Sequence, residues 1–312
     1  MRRRPGRPAW QAEQVNDDRD VLVLGAGVIG LTTAVRLAEA GFGVRVLAAG
    51  TGRATTSYAA GATWSPYLVE WTDRSRAWSF ETLDELHRLA ADPAAGIALV
   101  PGTEAVPVPA EPPDFADRLD GFTITTDLPA GFVSGWRFTA PVVSMPKYLA
   151  YLHDRATRAG AVFEERTVAR LDLAATVVNC TGIGARELVP DEQLAPVRGQ
   201  VVIVANPGVT EWFVGESDPP VYFFPHGDTV LLGGTAGHTR TGEDIRDRCA
   251  EVEPRLKDAP ILQTRVGQRP TRPQVRLESE RVGASTVIHN YGHGGAGVTL
   301  SWGCAAEVLR LL

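Results

Sequence analysis

The residues best suited to chemistry form two glycine-rich constellations near opposite ends of the chain. The first is Gly25-Ala26-Gly27-Val28-Ile29-Gly30, a Gly-x-Gly-x-x-Gly spacing. In such a motif the first glycine permits a tight turn and the second lets the backbone approach a pyrophosphate. The third lets helix and strand pack closely. A helix starting there offers free N–H groups and the positive end of its dipole to phosphates. The second constellation is Tyr291-Gly292-His293-Gly294-Gly295-Ala296-Gly297-Val298-Thr299, with four glycines in six positions ahead of a helical pattern. Backbone amides presented there suit negative charge on a bound ring system. His289 and His293 are four apart, a spacing that invites a metal ion. The intervening glycines disfavour the helix that this spacing needs, and no acidic or cysteine ligand lies nearby, so no metal is expected.

The flanking sequence supplies elements to hold these motifs. Asp20-Val21-Leu22-Val23-Leu24 is a nearly all-apolar run ending in glycine, which reads as a buried parallel strand. Residues 31–40 suit a helix stopped by Gly41, and Val44–Leu47 suits a second strand. That β-α-β order over about thirty residues is a mononucleotide-binding unit, and it makes Gly25–Gly30 a dinucleotide site rather than a ligand-free turn. One usual part is missing. The second strand should end in an acidic residue for a ribose hydroxyl, and Ala49-Gly50 stands there instead. Arg53 is either a substitute on the adenosine side or a solvated loop arginine.

Residues 51–70 read as a winding segment, and 78–91 carry helical spacing through Trp78, Leu83, Leu86 and Leu89. Residues 101–141 read as short strands and proline-rich loops. A helix capped at Ser144, with Pro146 in its first turn and Gly160 as its stop, lines one face with Tyr148, Leu149, Leu152 and Ala156. Strands are expected at 161–164, 176–182, 200–204, 221–224, 229–233 and 286–289, then a glycine loop over 291–297 and a helix over 298–312. The fold class is α/β: a discontinuous Rossmann-like domain over 19–70, 142–198 and 272–312, with a sheet-rich α+β domain over 71–141 and 199–271. Residues 1–18 read as a disordered extension.

Composition narrows the function further. The chain has 312 residues, 44% hydrophobic and 22% charged, and a net charge of -6. That charge lacks the basic face of a general nucleic-acid binder. No run approaches the length of a membrane span. Met1-Arg2-Arg3-Arg4 is basic but is followed by no apolar stretch, so it does not read as a signal peptide. Cys180, Cys249 and Cys304 form no CxxC pair, which points to a reducing, cytoplasmic setting and leaves a single bridge open. The C-terminus carries no Ser-Lys-Leu address.

Four stretches together resemble the D-amino-acid oxidase family. They are Val287–Ala305, Arg265-Val266-Gly267-Gln268-Arg269-Pro270-Thr271-Arg272-Pro273-Gln274, Val178-Asn179-Cys180-Thr181-Gly182, and Ala59-Ala60-Gly61 with Trp64-Ser65-Pro66-Tyr67. The resemblance implies non-covalent FAD as the cofactor. It implies that Arg269 pins a substrate α-carboxylate, that the Tyr222 hydroxyl joins it, and that the Gly295 carbonyl receives the substrate amine. It matches Thr55 and Thr56 to the pyrophosphate, Val168 to adenine, and Gly294, Gly295, Gly297, Val298 and Thr299 to the isoalloxazine ring. Gly61, Ala62, Thr181 and Gly182 complete the expected cofactor contacts. The implied reaction oxidatively deaminates neutral D-amino acids to 2-oxo acids, ammonia and hydrogen peroxide. Its partners are a D-amino acid and molecular oxygen, with neither nucleic acid nor membrane and with a homodimer as the expected assembly.

Two departures from the family pattern stand out. Glu216-Ser217-Asp218-Pro219-Pro220 is short and lacks the extra tyrosine that vertebrate members carry, so the active-site lid is reduced. Ser65 stands where some relatives have glutamine, which leaves substrate preference open. Two alternatives remain at this stage. A D-aspartate oxidase would need an added cation, for which His226, His238 and Arg240 are candidates. A flavin-binding protein without oxidase activity would explain the lost acid at Ala49.

Overall fold

The structure is a computed structural model that describes residues 19–235 and 239–312. The extension expected over 1–18 and the candidate His238 lie outside the described residues. The elements run β1 Asp20–Leu24, α1 Val28–Glu39, β2 Gly43–Ala48, α2 Asp73–Leu89, β3 Ile97–Val106, β4 Asp120–Ile124 and β5 Ser134–Val143. They continue with α3 Met145–Arg158, β6 Val162–Glu165, β7 Thr176–Asn179, α4 Ala185–Leu188, β8 Ala195–Ala205 and β9 Trp212–Gly215. The last are β10 Val221–His226, β11 Thr229–Gly233, α5 Gly242–Val252, β12 Ile261–Val282, β13 Ser285–His293 and α6 Gly297–Leu311. Two short 3-10 turns, Gly52–Ala54 and Thr56–Ala59, carry the winding segment after β2.

One end of the sheet is parallel, in the order β6-β2-β1-β7-β13. β1 lies inside it, which is why Val21–Leu24 are buried and the run does not alternate. The other end, β4-β5-β3-β9-β10-β11-β8, is mostly antiparallel. β12 joins the two ends. It pairs with β8 up to Thr271 and with β13 beyond, and its register shifts between Thr271 and Arg276. Pro270 and Pro273 stand at that switch, where each removes an N–H from the ladder. The result is one thirteen-stranded sheet running through both kinds of structure.

α2 lies in the stretch that the sequence groups with the second domain, yet it packs on α6. The Thr82 hydroxyl accepts the backbone N–H groups of Trp302 and Gly303, both at 3.1 Å. Gly303 makes this possible, because a Cβ there would overlap the Trp78 backbone. α3 begins after Ser144 and ends before Gly160, whose φ is +99°. The Ser144 side chain makes no cap hydrogen bond; its carbonyl accepts the Tyr148 N–H at 2.9 Å instead. The predicted face of Tyr148, Leu149, Leu152 and Ala156 is buried.

The glycine loop is shorter than expected, and two further features were open in the sequence. β13 extends through Tyr291 and Gly292 to His293, so the glycine loop is confined to Gly294-Gly295-Ala296. α5 has no counterpart in the sequence reading. It starts with a capping box of Thr241 and Asp244 and buries only Ile245 and Cys249. All three cysteines are free and buried, which closes the question of a bridge. No described helix is long and apolar enough to cross a membrane.

Candidate active site

The turn between β1 and α1 is built on close backbone contact. Gly25 has a φ of +102°, and a Cβ on it would overlap the Cys180 carbonyl; a Cβ on Gly30 would overlap the Gly25 carbonyl. Gly25 N–H donates to Leu47 O at 2.8 Å, and Cys180 N–H donates to Leu24 O at 2.9 Å, so the turn is tied to both neighbouring strands. The first helical N–H, of Val28, donates to Ser57 Oγ at 2.9 Å. Ser57 was not singled out from the sequence, although it completes the hydroxyl run Thr55-Thr56-Ser57. Thr55 Oγ1 donates to Gly52 O at 2.7 Å and Thr56 Oγ1 to Gln268 O at 3.1 Å.

A cavity of about 850 Å³ runs from this turn to the antiparallel sheet. Most of the expected residues share its wall: Gly25 to Ile29, Thr55, Thr56, Gly61, Ala62, Val168, Thr181, Gly182, Tyr222, Arg269, Gly294, Gly295, Gly297 and Val298. Gly30 and Thr299 are not on that wall. Gly30 is the packing glycine of the turn. Thr299 Oγ1 donates to Ser65 O at 2.8 Å and accepts from Ser65 N at 3.1 Å, so it fixes the loop carrying Ser65.

Ala49 and Gly50 line the cavity at the end of β2, joined by Arg166, Thr167 and Glu187. Arg53 is elsewhere, with its guanidinium 5.7 Å from the Tyr58 ring centre. No side chain at 49 or 50 can accept a ribose hydroxyl. Ala49→Asp is therefore expected to lower the Kd for FAD about fivefold, the scale of one charge-assisted hydrogen bond in a half-exposed site. Flavin fluorescence quenching on titration checks this.

Behind the cavity Asn179 Oδ1 accepts Thr181 Oγ1–H at 2.7 Å, and Asn179 Nδ2 lies 3.2 Å from His289 Nδ1. His289 Nε2 lies 2.9 Å from Glu280. With Asn179 donating to Nδ1, the Nε2–H donates to the carboxylate. Burial holds His289 below its ordinary range and pushes His293 down to about 3, so both stay neutral. Among the described residues no group of three or more His, Cys, Asp and Glu is placed to share a metal ion.

Arg269 and Tyr222 meet at the far end of the cavity. Arg269, on β12, lies across Gly199, where a Cβ would stand 2.6 Å from the guanidinium. Its Nη1 donates to Arg198 O at 3.4 Å, and its guanidinium lies 5.7 Å from the Tyr67 ring centre. Among the described residues no carboxylate pairs with it. Its neighbours differ: Arg272 pairs with Asp191 at 3.1 Å, and Arg265 stacks 4.6 Å from Tyr58. The Tyr222 ring covers Gly233, its partner on β11, where any Cβ would collide with it. Tyr222 stands beside Arg269, whose charge favours the phenolate, but burial outweighs it and raises the phenol above the ordinary range, so it remains a donor.

Gly295 lies against Tyr67, with no room for a Cβ, and Gly294 lies against the Leu68 carbonyl. Leu68 itself has a φ of +54°, an uncommon conformation for leucine. Tyr67 thus stands between Arg269 and Gly295 on the cavity wall. The motif Trp64-Ser65-Pro66-Tyr67 does not reveal this place, which depends on how the winding segment folds.

The cavity fits a dinucleotide. It is at the upper end of small-molecule sites in size, and a helix N-terminus opens on it where Gly25 and Gly27 exclude side chains. The family model for FAD dependent oxidoreductases (DAO) matches residues 20–311. The chain is 44% identical to a D-amino-acid oxidase of Rubrobacter xylanophilus, over 93% of this chain and 94% of that one. It is 40% identical to a D-amino-acid oxidase of Streptomyces coelicolor, over 96% and 98%. A crystal structure of glycine oxidase from Bacillus cereus superposes with a TM-score of 0.76 at 19% identity, covering 94% of each chain, and so shares the fold. The chain therefore belongs to the DAO family of FAD-dependent oxidoreductases.

Proposed function

We propose that this protein is a D-amino-acid oxidase acting on neutral D-amino acids. The observation that carries this reading is Arg269. It is a guanidinium on a cavity wall with no carboxylate partner among the described residues, joined by the Tyr222 hydroxyl and close to a glycine loop. A guanidinium fork grips a carboxylate at two points and fixes its orientation. Tyr222 adds a neutral donor to the same carboxylate. The Gly295 carbonyl is available to the substrate amine. With carboxylate and amine both fixed, only one hand of the substrate directs its Cα–H at the ring site and leaves the side chain in open space.

The backbone of Gly25–Ile29 and the Ser57 hydroxyl would hold the pyrophosphate of FAD. Val168 and the Ala49-Gly50 backbone would flank the adenosine, and Gly294–Val298 would face the ring. When bound, FAD supplies the acceptor for the Cα hydride and passes the electrons to oxygen as hydrogen peroxide. The protein's own part is positioning, and the imino acid that leaves hydrolyses in water to a 2-oxo acid and ammonia. The three free thiols fit a cytoplasmic setting.

The D-aspartate alternative fares worse. Val214 of β9 is opposite Tyr222 and beside Glu104 of β3, so Glu104, Val214, Glu216 and Tyr222 project from one face of the sheet. Glu216 lines the cavity. Burial and the neighbouring Glu216 push the Glu104 carboxyl up to about 8, so it keeps its proton beside Glu216. An acidic substrate side chain would therefore face a carboxylate. Two of the proposed cations, His226 and Arg240, do not answer it. Burial pushes His226 down to about 4, which leaves it neutral. Neither His226 nor Arg240 is on the main cavity wall.

The test is a peroxide assay over a panel of D-amino acids with FAD-saturated protein. We expect kcat/KM for D-alanine or D-methionine to exceed that for D-aspartate about a hundredfold, since opposed like charges cost several kcal/mol. Activity confined to D-aspartate and D-glutamate would reverse the assignment. Bound flavin with no peroxide from any D-amino acid would make this a non-catalytic flavoprotein.

A further inference from the structure

The hairpin that carries Tyr222 is stapled at its open end by a side chain outside the cavity. Arg248, on α5, donates Nη1–H to Gly234 O at 2.9 Å, and Nη2–H to Pro219 O at 2.5 Å and to Pro220 O at 3.1 Å. Pro219 and Pro220 immediately precede β10, and Gly234 immediately follows β11. Tyr222 and Gly233 are the register pair nearest that end. One guanidinium thus ties the entry of one strand to the exit of the other, one pair away from the Tyr222 ring.

Three further contacts place the load at this point. A Cβ on Gly234 would overlap the Pro220 carbonyl, so the two backbones already touch. Ser217 Oγ donates to Pro219 O at 2.9 Å, which closes the short loop on itself. The next residue on α5, Cys249, directs its thiol at Tyr222 O and Gly233 O, at 3.5 Å and 3.9 Å. The partners found for the Arg248 guanidinium are all backbone carbonyls, and burial lowers its pKa from the ordinary arginine value. A charge held half-buried against carbonyls is a costly way to finish a helix surface, and its effect is to immobilise what it touches.

We infer that Arg248 is a positioning residue for the substrate carboxylate clamp. It holds the Tyr222 hydroxyl at Arg269 and keeps Glu216–Pro220 as a fixed wall of the cavity rather than a swinging lid. This rests on the reading that Arg269 and Tyr222 together bind the substrate carboxylate. Glu216, Ser217 and Pro220 line the cavity, so their backbone mobility is transmitted directly to its mouth.

The experiment compares wild type, Arg248→Ala and Arg248→Lys as FAD-loaded proteins. Binding of 2-methylalanine is read from the flavin spectrum; it carries the amine and carboxylate of a substrate but has no Cα–H to lose. Turnover of D-alanine and amide hydrogen exchange over 216–223 are measured on the same samples. For Arg248→Ala we expect the Kd for 2-methylalanine and the KM for D-alanine to rise about tenfold, by more than kcat falls, because ground-state positioning is lost first. Exchange should quicken over 216–223 and 233–235 and stay unchanged in β1 and α1. Arg248→Lys should recover part of the affinity, since an ammonium can still reach carbonyls. Unchanged Kd and KM in Arg248→Ala would overturn the inference, as would faster exchange spread over the whole chain or a lysine variant no better than alanine. Failure of wild type both to bind 2-methylalanine and to oxidise any D-amino acid would overturn the clamp reading itself.

Discussion

Arg269→Ala is expected to lower kcat/KM for a neutral D-amino acid about a thousandfold while FAD stays bound. A bidentate charge-assisted pair that also orients the reacting carbon is worth about 4 kcal/mol of transition-state stabilisation when lost. The residue's surroundings make this a loss of function rather than of fold. No carboxylate among the described residues pairs with Arg269, so its removal strands no buried partner charge. Its hydrogen bond to Arg198 O is long, at 3.4 Å. Arg269→Lys keeps the charge but loses the fork, and should fall between wild type and alanine. Tyr222→Phe removes one neutral donor and should raise KM about tenfold. Steady-state kinetics with the visible spectrum of each variant check the series. Loss of flavin in Arg269→Ala with normal turnover after reconstitution would make Arg269 a structural residue.

Gly25→Ala is expected to weaken FAD binding about a hundredfold, from two costs acting together. A φ of +102° is strained for any residue with a Cβ, and that Cβ would press on the Cys180 carbonyl. The Cys180 carbonyl cannot retreat freely, because the Cys180 N–H is bonded to Leu24 O within the parallel sheet. The turn must therefore open, and the amides that face the pyrophosphate move with it. Purification should yield protein with normal far-ultraviolet circular dichroism and little bound flavin. A variant that retains flavin at wild-type affinity would show that the turn tolerates the change.

The two glycine constellations were legible because each depends on residues adjacent in the chain. β1, α1 and β2 follow from an apolar run, a glycine turn and a helical pattern within about thirty residues. Arg269 and Tyr222 came from motif resemblance, and the structure brings them together through β8 and β11, which stand between their strands. What was not legible depends on pairing between distant strands or on loop shape. Glu104 and Glu216 are neighbours only because β3 runs parallel to β9. Ser57 reaches the α1 N-terminus, and Tyr67 reaches Arg269, through a segment with little regular structure. The bond of the Thr299 hydroxyl to the Ser65 backbone likewise depends on how that segment folds. α5 was missed because Ile245 and Cys249 are its only buried residues, too few to show a periodicity. Arg248 therefore had no element to be placed on, although it grips the short loop Glu216–Pro220.

The most direct test of the account is anaerobic mixing of FAD-loaded protein with the two enantiomers of one neutral amino acid, methionine, followed through the visible flavin absorbance. The account predicts rapid bleaching with D-methionine, none with L-methionine, and recovery of the colour with formation of peroxide when oxygen is admitted. Bleaching by the L enantiomer, or no bleaching by either, would contradict it.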